Sequence, residues 1–155
     1  MNNSICIDIP IAWEYVRTVR QQVDAALSSY PEELRSNAVL VASELAENAV
    51  KYGAAVPGLE WARFSFELTP THIQIQVSNG LTNRLLLDLL ERMVMQMKPA
   101  GACEQLYAAR LQELVIDPLQ PTRLGLYRIG YEGKFDLDCA YADRILTMTA
   151  RRQLP

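Results

Sequence analysis

The stretch Ser43-Glu44-Leu45-Ala46-Glu47-Asn48-Ala49-Val50-Lys51-Tyr52-Gly53 decides how this chain is read. Its Ala, Leu, Val and Glu content is that of a helix, and Gly53 is a natural stop. Glu44, Asn48 and Lys51 stand at i, i+4 and i+7, which stacks a carboxylate, an amide and an ammonium along one helical face. A carboxylate can orient water, an amide oxygen can ligate a hard cation, and an ammonium can reach a phosphate. That combination is what a Mg-nucleotide site uses. Asn48 is also a poor helix former among strong ones. The same spacing admits a plainer account: Glu47 and Lys51 form an i, i+4 pair of the favourable orientation, as on any solvated helix face.

Outward from this stretch the pattern is α+β. Pro31 stops one helix and begins the next, which runs to Tyr52 with Leu34, Ala38, Val41, Leu45 and Ala49 as its core stripe. The preceding helix, over 12–29, carries Trp13, Val16, Val19, Val23 and Leu27 at helical spacing, and Ser4 to Ile9 alternates as a short strand closed by Pro10. After Pro57-Gly58, Trp61, Phe64, Phe66 and Leu68 mark one strand and Ile73, Ile75 and Val77 the next, joined by Thr69-Pro70-Thr71. Helical patterns cover 82–97 and 102–115. Thr122 or Arg123 opens a further helix reaching Tyr131. Phe135 to Tyr141 and Arg144 to Ala150 form a closing hairpin that turns near Ala142-Asp143. Nothing marks an interdomain linker or a repeat, so 1–155 reads as a single domain.

Composition narrows the function classes. With 155 residues, half of them hydrophobic, the chain can bury a real core. A net charge of -3 gives no reason to expect nucleic acid. No apolar run is long enough to span a bilayer and no signal-peptide layout opens the chain, so a cytoplasmic protein without membrane contact is the expectation. The three cysteines, Cys6, Cys103 and Cys139, have no metal spacing and read as reduced, mostly buried thiols. The single histidine, His72, sits at a strand start, where a surface role fits better than catalysis.

The string Glu44-Leu45-Ala46-Glu47-Asn48-Ala49-Val50-Lys51-Tyr52 resembles the N-box of the GHKL (Bergerat-fold) ATPases, closest in flavour to anti-sigma-factor serine kinases and histidine-kinase-like ATP-binding domains. The element order over about 12–150 agrees with that fold. The resemblance implies a two-layer α/β sandwich with helices on one face of a mixed, mostly antiparallel sheet. It also implies ATP and Mg as cofactors. Residue by residue, Glu44 would be the general base or water-positioning acid, Asn48 the Mg ligand and Lys51 a phosphate contact.

Two further boxes depart from the family. The second should place an adenine-reading aspartate after a strand; here Val77-Ser78-Asn79-Gly80 offers Asn79 by strand alternation, or Ser78 if aligned on the Asn-Gly pair. An asparagine can present both a carbonyl and an amide to adenine, while Asn79-Gly80 also suits a strand-ending turn. The third box reads Thr122-Arg123-Leu124-Gly125-Leu126-Tyr127-Arg128-Ile129. Gly125 matches a glycine that lets backbone approach phosphate, and Arg123 replaces the first glycine, either binding phosphate itself or forming a structural ion pair. A helical insert at about 81–120, rich in Leu and Met, stands where the family has its flexible ATP lid, and part of it is expected to stay exposed as a contact surface.

These expectations carry two functions. One is a partner-switching regulatory serine/threonine kinase or ATP-binding regulator; the other is a degenerate module of the same fold that works by protein contact without nucleotide. Both imply a protein partner in a signalling switch, and a second copy of the chain is a candidate partner. An isolated histidine-kinase catalytic domain fits less well, since two glycine motifs are thinned and no helix carries an acceptor histidine.

Overall fold

Alternation along the strands sets which side of the sheet meets the helices. In a computed structural model, which describes residues 3–9, 13–116 and 124–155, five strands pair in the order β1-β2-β3-β5-β4: β1 (Asn3–Ile9), β2 (Ala62–Leu68), β3 (His72–Gly80), β4 (Asp136–Ala142) and β5 (Ile145–Gln153). Each pairing is antiparallel, so the sheet has no parallel component among the described residues. Phe64, Phe66, Ile73, Ile75, Val77, Leu146 and Met148 point to the buried face, and among the described residues helices cover that face alone. Full burial of each such side chain contributes about 1.5–3 kcal/mol. The other face presents Ser65, Gln74, Gln76, Ser78, Thr147 and Thr149, all half-exposed, with Gln76 donating to Thr149 at 3.2 Å. This is the two-layer α/β sandwich that the resemblance implies, with an antiparallel sheet among the described residues in place of a mixed one.

Helices α1 (Glu14–Ala26) and α2 (Glu32–Tyr52) pack on each other, α2 lying against β2 and β3 and α1 against β1. Pro31 supplies the first helical acceptor of α2, its carbonyl taking the Arg35 amide at 3.1 Å. The expected core stripe of α2, from Leu34 to Ala49, is buried throughout. Helix α1 is shorter than its pattern predicts, and Trp13 is not part of its core. It caps the helix and is 59% exposed. Trp61 is likewise exposed, because the buried positions of β2 are the even-numbered ones from Ala62 to Leu68. Gly53 ends α2 in extended backbone rather than a left-handed cap; a Cβ there would lie 2.3 Å from the Ala49 carbonyl oxygen.

The insert folds as α3 (Arg84–Met97) and α4 (Ala102–Ile116), followed by α5 (Leu124–Tyr131). The Asn83 side chain caps α3 by accepting the Leu86 amide at 3.1 Å. Leu87, Leu90, Met93, Val94 and Met97 are buried, whereas Leu85 and Met95 are 82% and 64% exposed. The apolar content of α3 therefore divides between core and surface, as its excess of Leu and Met predicts. The closing hairpin turns at Asp143-Arg144, one residue later than expected, with both residues at positive φ as a two-residue type I′ turn requires. Cys6 is exposed and Cys103 and Cys139 are half-buried, so the expectation of mostly buried thiols does not hold. The expected start of α5 at Thr122 or Arg123 lies outside the described residues.

Candidate functional site

The polar row of α2 meets open space. Glu44, Asn48 and Lys51, with Glu47 and Tyr52, wall a cleft of about 180 Å³. Its opposite wall is Leu86, Leu89, Leu90 and Met93 of α3, with Leu126 of α5 and Trp13 completing it. Helical periodicity explains the α2 side: Leu45 and Ala49 point at the sheet, so the residues one position before each turn outward toward α3.

Glu44 is well shielded for a charged group. Its side chain is 14% exposed, and Arg128 of α5 donates to its Oε1 at 3.2 Å. Burial pushes the Glu44 carboxyl above its ordinary value, and the nearby Glu47 and Glu132 charges push the same way while Arg128 opposes them. Arg128 also pairs with Glu132 one turn later, at 3.1 Å, and Glu132 accepts from the Tyr107 hydroxyl at 2.8 Å. That bond to Glu132 raises the Tyr107 phenol. A chain of polar contacts thus runs from α2 through α5 to α4.

The plain i, i+4 account of Glu47 and Lys51 fails on geometry. Glu47 accepts from the Ser43 hydroxyl at 3.2 Å, and the Lys51 ammonium lies 5.1 Å from the centre of the Tyr52 ring. The half-buried Asn48 makes no hydrogen bond from its amide to another described residue, so both its oxygen and its nitrogen are spare.

Asn79 and Gly80 are placed differently. Asn79 is on the helix-facing side of the sheet, as strand alternation predicts, but it is 5% exposed and does not line the cleft. Its Nδ2 donates to the Gly80 carbonyl at 2.9 Å, and its Cβ packs against Gly53. Gly80 pairs with Ala54, and a Cβ on it would stand 2.0 Å from the Ala54 oxygen and under 3.0 Å from both Val56 methyls. Backbone packing alone accounts for that glycine. Gly125 falls in the first turn of α5, next to Leu126 of the cleft wall. Arg123 lies outside the described residues. His72 is engaged at the β2–β3 turn, its Nδ1 3.0 Å from the Thr69 hydroxyl.

Sequence reasoning missed Arg128, Glu132, Tyr107 and the placement of Trp13. Arg128 and Glu132 carry a local signal, their i, i+4 spacing, but the reach of Arg128 to Glu44 spans 84 residues and has no local signature.

The donor set suits magnesium bound with phosphate. Magnesium keeps several waters and takes one or two oxygen ligands from protein, which Asn48 can supply with Glu44 one turn away. Among the described residues there is no cluster of three or more His, Cys, Asp or Glu able to cage a metal ion. The space is another matter: pockets for drug-sized ligands run to roughly 300–1,000 Å³, so at about 180 Å³ this cleft is smaller than a whole nucleotide needs.

No family model and no curated protein matches this chain. Among solved structures, a chain in the crystal structure of the SiaB–SiaC complex from Pseudomonas aeruginosa is similar, with a TM-score of 0.71 at 16% identity, covering 97% of this chain and 89% of that one. A likeness at that identity is one of fold. No helix among the described residues is long and apolar enough to cross a membrane.

Proposed function

We propose that this chain is a regulatory partner-switching protein that binds Mg-ATP weakly at the α2 cleft and acts on a protein partner as a serine/threonine kinase. The observation that carries the reading is the convergence of Glu44, Asn48 and Lys51 on one cleft, with the Asn48 amide unspent. In this reading Asn48 ligates the magnesium, Lys51 contacts phosphate, and Glu44 orients a water or the acceptor hydroxyl. A bound magnesium would neutralise charge building up on the phosphates. Raised by burial, the Glu44 carboxylate is a stronger proton acceptor than an ordinary one. Support for the partner comes from fold likeness to a chain in a two-protein complex. Cytoplasmic residence is part of the same proposal.

The adenine end is less well provided. A missing aspartate removes a charge-assisted hydrogen bond worth about 1.5–3 kcal/mol, or roughly one to two decades of affinity. Asn79 would recover some of this only by exchanging its bond to Gly80 for one to the base. Arg123 and Gly125 complete the proposed phosphate contacts.

A second reading, a contact-only module of the same fold, is favoured by the cleft volume and by its apolar α3 wall. Thermal unfolding at millimolar Mg-ATP separates the two. The kinase reading expects a rise in Tm that vanishes in EDTA and in Asn48→Ala. It also expects Glu44→Ala to retain the shift and lose transfer of labelled phosphate to the partner. No shift in wild type leaves the contact-only module.

A further inference from the structure

A second depression opens beside the cleft, between α1 and α2. It measures about 650 Å³, and Trp13 and Glu47 border both spaces, so the two lie side by side. Val16 and Val39 provide its apolar part, and Arg17 and Arg20 stand along its α1 wall. With Asp24 and Glu47 also on its walls, the lining carries two arginines and two carboxylates. Asp24 is offset by Arg35 at 3.0 Å, which leaves Arg17 and Arg20 against the single carboxylate of Glu47. Arg17 and Arg20 are exposed and have no ion-pair partner among the described residues. Trp13, with more than half its surface exposed, stands where groove and cleft meet.

We infer that the α1–α2 groove seats an acidic segment of the protein partner, with Trp13 as its apolar anchor and Arg17 and Arg20 as its carboxylate contacts. The inference rests on the reading that the chain works on a protein partner, and it names the chemistry of that partner. Guanidinium groups match carboxylates in paired, planar hydrogen bonds. Exposed tryptophan beside arginine is the composition of binding hot spots. Adjacency supplies the register: a segment lying along Arg20 and Arg17 and over Trp13 reaches the edge of the cleft that Glu44 and Lys51 line. Acidic residues on the segment would flank the hydroxyl presented there. Two arginines on a net-negative chain are too few for a nucleic-acid backbone, whose binding gathers many phosphate contacts.

The test uses the whole chain and a fluorescein-labelled peptide of alternating Asp and Glu around one Ser, with its Asn/Gln counterpart as control, read by anisotropy. The acidic peptide is expected to bind about tenfold tighter than the neutral one, and Arg17→Glu with Arg20→Glu to weaken it by about tenfold or more. Trp13→Ala should weaken both peptides. In a Trp61→Phe background, Trp13 emission should change on binding. Equal affinity for the two peptides, or an unchanged affinity in the double arginine variant, overturns the inference. So does arginine-dependent binding to phosphatidylserine vesicles without peptide binding, or a wild-type dimer that the double variant dissociates. Neither arginine lines the cleft, so the double variant should keep the Mg-ATP thermal shift. Loss of peptide selectivity with that shift intact sinks this inference alone; peptide selectivity with no nucleotide shift sinks the nucleotide site alone.

Discussion

At the C-terminal half of α2, polar side chains face space; at the end of β3, they face protein. Asn48 stands on a cleft wall with its amide unspent, whereas Asn79 is buried and bonded to the next carbonyl in the chain. Gly80 is filled on both sides by the 54–56 segment. The same residue type, asparagine, thus does different work about 30 residues apart. A polar group is available for a ligand only when the fold has not already satisfied it, and that is decided by neighbours rather than by the residue itself.

The largest expected effect breaks the β3 side. Gly80→Ala places a methyl against the Ala54 carbonyl and should cost about 3 kcal/mol of stability, read by urea unfolding. A neutral outcome would mean the 54–56 segment yields easily and Gly80 is free to meet a ligand. Asn79→Ala is milder. Losing one buried hydrogen bond should cost about 1–2 kcal/mol, again by denaturant. If it also abolishes nucleotide binding, Asn79 belongs with Asn48 after all.

Glu44 sharpens the cleft side through pH. Its carboxyl is held above the ordinary value of 4.5, so the folded chain binds that proton more tightly than the unfolded one. Its contribution is full below that ordinary value and is lost as pH rises through the raised one. Glu44→Gln, which cannot ionise, should therefore gain stability relative to wild type as pH climbs upward from 4.5, measured by unfolding across that range. A flat difference would mean that Arg128 compensates the burial fully. The smallest effect belongs to the exposed face of α3: Leu85→Lys should change stability by less than about 0.5 kcal/mol. A larger loss in the free chain would show that Leu85 is packed in solution.

How much of this is legible in the sequence follows from range. The α2 stripe and the alternation of β2 and β3 are local patterns, and they place Leu45, Phe64 and Ile75 correctly. The N-box row is also local, so its convergence on one helix face could be read directly. Arg128 against Glu44, the walling of the cleft by α3, and the packing of Gly80 against Ala54 are long-range and leave no periodic trace. Trp13 misleads for a related reason: it fits the helical period of α1 but precedes its first turn, where packing no longer covers it.

Calorimetric titration of the wild-type chain and of Asn48→Ala with Mg-ATP tests the central claim most directly. The account predicts a weak, magnesium-dependent heat for wild type, saturating in the millimolar range, and none for Asn48→Ala with its fold intact by circular dichroism. Identical titrations for the two proteins, whether both bind or neither does, would contradict it.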